Sequence, residues 1–356
     1  MTAPASRRRW LRSAWPWLKY VVGLALAGLA LWALAGRRGE LSGASSYLDH
    51  LRWWWLGLAV LAEAGSLVAF GMVQKRLLAA GGVGTSTGRM TGVTVASTAI
   101  ANSMPAGPVV SAVFAFRQYR GQGADEALAG WTLAAVFVVA SVTLALVAAV
   151  GIAVAGAEGA GLDLVGVTVA VLVGALAMGA VFLQRRALGW LVSAAVRASR
   201  RLVGWPRGEV AGHVEHIIAR LTVVTLDLRQ VLSAVGWGLG NWVLDCGCLA
   251  LSFTAVGVGI PWRGLLLAYG AGQLAANLPI TPGGLGVVEG SLTIALVTFG
   301  GAEPSTVAAV FVYRLVSFWG ELPIGWIIWG AYALARRPPL VAVAAAVDGV
   351  AEEVAS

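Results

Sequence analysis

The sequence predicts an all-α polytopic membrane protein: about six full transmembrane helices plus two oppositely oriented re-entrant broken-helix hairpins that form an inverted repeat. Three observations predict this. Hydrophobic residues make up 58% of the 356 and charged residues only 12%, with a mean hydropathy of +0.80, which excludes a soluble globular domain. Several apolar runs reach the roughly 20 residues that cross a hydrocarbon core, and charge clusters between them. Two apolar segments are interrupted by residues through which a helix does not continue. These are Asn277-Leu278-Pro279-Ile280-Thr281-Pro282-Gly283-Gly284-Leu285-Gly286 and the weaker Asn102-Ser103-Met104-Pro105-Ala106-Gly107-Pro108. Backbone freed at membrane depth must be satisfied inside the protein or by a bound polar ligand, because lipid offers no hydrogen bonds.

Taken in chain order, residues 1–14 form a basic cytoplasmic N-terminus with Arg7, Arg8, Arg9 and Arg12. The apolar run 15–35 that follows is too long for a signal-peptide core and lacks a clear cleavage site, so it is expected to remain as the first span of a membrane domain over 15–335. Further spans are expected at 53–73, 127–155, 164–183, 231–256 and 305–334. Tryptophans at their ends, among them Trp53 to Trp55, Trp237, Trp262, Trp326 and Trp329, form an aromatic belt and need no binding role. Residues 185–230 are polar enough to leave the membrane. Within them Val210, Val214, Ile217, Ile218, Leu221 and Val224 recur at helical spacing, which predicts a cytoplasmic interfacial helix. Residues 336–356 form a cytoplasmic tail.

The two interrupted segments, 90–116 and 264–299, are expected to enter and leave on one side. A cytoplasmic N-terminus then places 20 of the 25 Lys and Arg residues inside, with Arg37, Arg38, Arg52 and Arg263 outside and Arg314 within the last span. That asymmetry favours this topology over eight full crossings. It also makes the hairpins enter from opposite faces. Their sequences align: Asn102, Pro105 and Gly107 match Asn277, Pro279 and Gly283, and Gly123-Ala124-Asp125 matches Gly301-Ala302-Glu303. The expected repeats cover 53–155 and 231–334. Inverted repeats with helices broken at the midplane are the architecture of alternating-access transporters.

Ionisable side chains inside spans are functional candidates. Glu289 opens the helix after the second break, where it balances the helix dipole and caps free N–H groups or lines a cavity. Arg314 lies deep in the last span, as structural glue for Glu289 or Asp245 or as a fork for an anionic phosphate. Exposed N–H groups after Thr281, around Gly283, Gly284 and Gly286, add an anion site at a helix N-terminus. Asn102 and Asn277 precede the breaks and have two readings, capping of freed carbonyls or contact with a headgroup. Pro105 marks the first break. Glu63, Arg117, Asp245 and Glu321 are secondary candidates. Cys246 and Cys248 are expected to be small core residues, and His213, His216 and Glu209 a solvated surface, so no metal and no cofactor is expected. Walker, dinucleotide, HExxH and Gly-x-Ser-x-Gly motifs are absent from the sequence, so it is not expected to be an enzyme. The net charge of +8 is explained by topology and anionic lipid rather than by nucleic acid.

The run Asn277 to Gly290, followed by Tyr313-Arg314-Leu315, resembles the lysylphosphatidylglycerol synthase transmembrane region, or flippase-like, family. The Asn102–Gly107 stretch with Phe116-Arg117-Gln118 is similar to that family's upstream motif. The resemblance covers roughly 15–334. It implies movement of a lipid with an anionic, phosphate-bearing or aminoacylated headgroup between leaflets of a bacterial-type inner membrane, with a separate synthase as partner. By position, Glu289 and Arg314 match the family's charged pair, and Asn277, Pro279, Pro282, Gly283, Gly284 and Gly286 its hairpin. The first repeat has no acid comparable with Glu289. No synthase domain is expected in this chain, so lysyl transfer is not implied. Two other classes stay open: an intramembrane lipid-modifying transferase using Glu289 or Asp245, and a non-transporting membrane partner of a separately encoded synthase.

Overall fold

The computed structural model describes residues 50–104, 107–156, 226–276 and 282–335, with helical positions between 166 and 179. The expected first span, most of the 164–183 span and of the interfacial segment, both termini, Pro105, Asn277 and Thr281 lie outside the described residues.

The described residues are helical, with no strand among them. Helices α1 (Trp53–Ala80), α2 (Thr87–Ser103), α3 (Gly107–Gly121) and α4 (Glu126–Gly156) make the first half. The second half has α5 (Leu228–Val256), α6 (Trp262–Ala276), a 310 turn at Pro282–Gly284 and α7 (Val287–Thr298). It ends with α8 (Glu303–Arg314), a π turn at Leu315–Trp319 and α9 (Glu321–Ala335), which run on as one helix of 33 residues. Each half has its own apolar core, one around Leu77, Met90, Tyr119 and Trp131, the other around Leu249, Phe253, Tyr269 and Leu292. Apolar side chains such as Val109, Phe137, Ile294 and Ile327 are exposed on the outside, as lipid-facing residues are.

Four helices are long and apolar enough to cross a membrane: Trp53–Ala80, Glu126–Gly156, Leu228–Val256 and Glu303–Ala335. They correspond to four of the six expected spans, and two of these helices extend beyond the expected bounds. The first of the four continues past residue 73 to Ala80, and Gln74 within it is buried and satisfied. Its Nε2 donates to Thr94 Oγ1 at 2.8 Å and its Oε1 accepts from Tyr119 at 2.9 Å. The third begins at Leu228 rather than at 231. Asp227 Oδ1 accepts from the Gln230 N–H at 2.7 Å while Gln230 Oε1 accepts from the Asp227 N–H at 3.0 Å, a reciprocal cap that starts the helix inside the expected interfacial segment.

Both interrupted segments fold back as helical pairs. Arg89 Nη1 donates to Gln122 Oε1 at 2.9 Å, so the start of α2 lies beside the residue after α3. A Cβ built on Gly264 would lie 2.3 Å from the Phe299 ring, so the start of α6 lies against the end of α7.

The halves share a register. Trp53 and Leu228 open α1 and α5, Thr87 and Trp262 open α2 and α6, and each pair is 175 residues apart, as are Asn102 and Asn277. Between α4 and the last span the offset is 177, from Glu126 to Glu303. Contacts between the halves recur with the halves exchanged. A Cβ on Gly65 would meet Leu244 at 3.2 Å, and one on Gly240 would meet Ala69 at 3.9 Å. The same holds where α4 packs on α6 and α9 on α2: Gly270 faces Ala148 as Gly325 faces Val95, and Gly151 faces Leu267 as Gly92 faces Ile328. Small residues at these crossings let backbones approach closely, which is how helices associate without a hydrophobic driving force.

Candidate functional site

The second break is shaped by three glycines with left-handed backbone, Gly283 at φ +61°, Gly284 at +67° and Gly286 at +82°. Such angles are unfavourable for residues that carry a Cβ. At Gly283 there is also no room, since a Cβ would lie 2.2 Å from Phe318 Cε2 and 3.1 Å from the Asn102 carbonyl oxygen. The second break therefore rests on the end of α2, and the points where the two apolar segments are interrupted meet. At Gly284 a Cβ would lie 2.6 Å from Val288 Cγ2 and 3.3 Å from Ala276 Cα, so the start of α7 is folded tightly onto the end of α6.

Arg314 locks this meeting point. Its Nε donates to Glu289 Oε1 at 2.7 Å and its Nη2 to the Gly283 carbonyl at 3.1 Å, while its guanidinium carbon stands 4.3 Å from the centre of the Phe318 ring. Glu289 uses its other oxygen to accept from the Gly286 N–H at 2.6 Å. One carboxylate thus joins the first turn of α7 to the last span, and one guanidinium returns from that span to the break. Of the roles open to Glu289 in the sequence, capping is seen here, and it also takes up the pairing open to Arg314. The Arg314 side chain is 9% exposed and that of Glu289 24%, so the acid keeps an opening to its surroundings.

The other intramembrane acids converge one layer away. Asp245 on α5 is held by three donors: Tyr269 to Oδ2 at 2.7 Å, Gln273 Nε2 to Oδ2 at 3.0 Å and Tyr313 to Oδ1 at 2.8 Å. Glu63 on α1 and Glu321 on α9 are buried beside it, at 6% exposure each. Between Arg314 and Glu321 the chain makes its π turn, Leu315–Trp319. That extra residue sets the two side chains at a spacing an unbroken α-helix would not give them. Of the two partners open to Arg314 in the sequence, Glu289 takes its hydrogen bond, while Asp245 is bonded by tyrosines and a glutamine.

Arg117 stands exposed on α3, ten residues beyond its start at the first break, about 15 Å along the helix axis. Asn102 reaches the site through its backbone carbonyl. Cys246 and Cys248 are buried, unoxidised core residues, and no group of three His, Cys, Asp or Glu side chains suited to a metal occurs among the described residues. Tyr269, Gln273 and Phe318 were not singled out from the sequence, and Tyr313 entered only within the Tyr313-Arg314-Leu315 motif. The signal for two of them was present, since Tyr269 and Gln273 are four residues apart and share one face of a short apolar helix.

Comparison with known proteins finds membrane proteins. Three UPF0104 membrane proteins of Methanothermobacter thermautotrophicus strain Delta H are similar over part of the chain. One is 34% identical over 145 residues, 37% of this chain and 41% of the relative. A second is 26% identical over 135 residues, 38% and 40% of the two chains. A third is 30% identical over 93 residues, 26% and 28%. The matched stretches thus span about two fifths or less of those relatives' length. The family described as the lysylphosphatidylglycerol synthase TM region matches residues 19–325. That match covers most of the chain, which is a membrane protein belonging to the lysylphosphatidylglycerol synthase TM region family.

Proposed function

We propose that this protein is a flippase- or scramblase-like lipid transporter that moves a phosphate-bearing or aminoacylated lipid between the leaflets of a bacterial-type inner membrane, without itself being an enzyme. The observation that carries the reading is the meeting of the two breaks, Gly283 against the Asn102 carbonyl, locked by Arg314 and Glu289. A headgroup entering there finds a guanidinium suited to phosphate and a carboxylate suited to an aminoacyl ammonium. Acyl tails stay in the bilayer beside the exposed apolar flanks.

The inverted, re-entrant repeat is part of this proposal. It is supported by the common 175-residue offset and by contacts that recur with the halves exchanged. The start of α1 lies by the end of α5, with the Arg52 N–H donating to the Ala255 carbonyl at 2.8 Å, so the two run antiparallel. Antiparallel helices exchanged by a two-fold operation have that axis across them, in the membrane plane, as inverted repeats require. Cytoplasmic termini are also part of this proposal, supported by the excess of Lys and Arg that the expected topology gathers on one side.

The test is reconstitution of the purified chain into vesicles carrying headgroup-labelled phosphatidylglycerol or its lysyl ester in one leaflet. Leaflet exchange faster than in protein-free vesicles supports the reading. Absence of exchange for both lipids, or appearance of a modified lipid from a labelled donor, counts for the partner or transferase class instead.

A further inference from the structure

The acids around Glu63 are not explained by headgroup binding. Glu63 is 6% exposed, and its Oε2 has no hydrogen-bond partner. Its carboxyl is within hydrogen-bonding reach of Asp245 on α5 and Glu321 on α9. Carboxylates only accept hydrogen bonds, so this contact is sustained when a proton or a cation lies between the oxygens. The remaining neighbours place neither between the acids. The Cys248 thiol on α5 is within hydrogen-bonding reach of Glu63 as a weak donor from the side, and Tyr313 on α8 faces it. Tyr269, Gln273 and Tyr313 donate to Asp245, and Cys246 lies beside it. The positive charge acting on Asp245 and Glu321 is Arg314, whose Nε is bonded to Glu289.

The cluster is also no part of the common scaffold. At the positions equivalent to Glu63, Asp245 and Glu321 in the other half stand Gly238, Phe70 and Leu144, by the offsets of 175 and 177 that relate the helices. The same helix crossings thus form in this molecule without acids, and ionisable groups buried at membrane depth are expensive to keep.

We propose that Glu63, Asp245 and Glu321 form a proton-binding site, in which a hydrogen is shared between the Glu63 carboxyl and the facing carboxylates, and that its loading is linked to lipid movement. On loading, a proton from water bonds to a carboxylate oxygen and the cluster becomes less negative by one charge; on release that O–H bond breaks and the proton returns to water. The second clause rests on the transport reading above, while the proton site does not.

Two measurements on the full chain test this. Infrared spectra of the purified protein at neutral pH should contain a protonated-carboxyl C=O band that shifts in D2O and is lost in Glu63→Gln. The D2O shift in the unmodified protein needs no variant to fold, and Glu321→Gln and Asp245→Asn give further checks. Vesicles with labelled phosphatidylglycerol should then show a leaflet asymmetry that follows the sign of an imposed pH gradient. Absence of the band, or a band unchanged in all three variants, overturns the proton site. Exchange indifferent to pH but dependent on sodium overturns it in favour of a metal cation. Exchange indifferent to both, with the band present, removes the link and leaves lipid movement standing. A band lost in Glu63→Gln without any lipid exchange upholds the site and removes the transport reading.

Discussion

The Ser66 hydroxyl donates to the Asn241 side-chain carbonyl at 3.1 Å, and the two residues are 175 apart, the offset that relates α1 to α5 and α2 to α6. Only positions on a two-fold axis can meet their own equivalents, so this bond marks where such an axis would cross the molecule. Glu63 and Asp245 lie one turn from it on either helix, and the Arg314–Glu289 pair on the side of the second break. Contacts between α1 and α5 recur with the helices exchanged, while Glu63, Asp245 and Glu321 have no acid at the equivalent positions.

Arg314→Ala should leave the Gly283 carbonyl and a Glu289 oxygen without their donor. We expect a loss of about 3 kcal/mol, near the lower edge for breaking a buried pair because Glu289 keeps some exposure. Thermal unfolding of the detergent-purified protein measures it. Arg314→Lys should recover less than half, since a single ammonium does not reproduce the two-pronged contact over Phe318.

Gly283→Ala should be destabilising and should abolish leaflet exchange. A left-handed angle at a residue with a Cβ costs about 1–2 kcal/mol. The clash with Phe318 adds to that, so the double change Gly283→Ala with Phe318→Leu should regain part of the stability and not all of it. Full recovery would mean that the backbone angle is immaterial.

Cysteines placed at Arg120 and at Thr298, near the ends of α3 and α7, should react with a membrane-impermeant maleimide from opposite faces of oriented vesicles. The native cysteines are buried and give a low background. Labelling of both sites from one face would remove the inverted arrangement.

Gly325→Val and Gly151→Val insert side chains at equivalent crossings, where even a Cβ would lie 2.5 Å from the Val95 carbonyl oxygen and 2.7 Å from the Leu267 nitrogen. Each should cost about 1–3 kcal/mol by overpacking. Similar losses in denaturation midpoint are expected at both sites; a loss at one alone would show that the halves bear unequal loads.

Helix type, membrane residence and the places of interruption follow from the sequence by itself, because apolar length and the backbone chemistry of Pro and Gly are local properties. The 175-residue offset that also relates the helix starts was legible too, in the spacing of Asn102 and Asn277. What the tertiary structure decided concerns partners. Glu63, Asp245 and Glu321 are scattered over more than 250 residues, and only the crossing of α1, α5 and α9 brings their carboxyls together. Gln74 is kept in an apolar helix by Thr94 and Tyr119, which reach it from two other helices. Asp245 looked available to Arg314 until Tyr269, Gln273 and Tyr313 took its oxygens. In an apolar medium the state of a polar group depends on which donor faces it, and that is set by packing between distant segments.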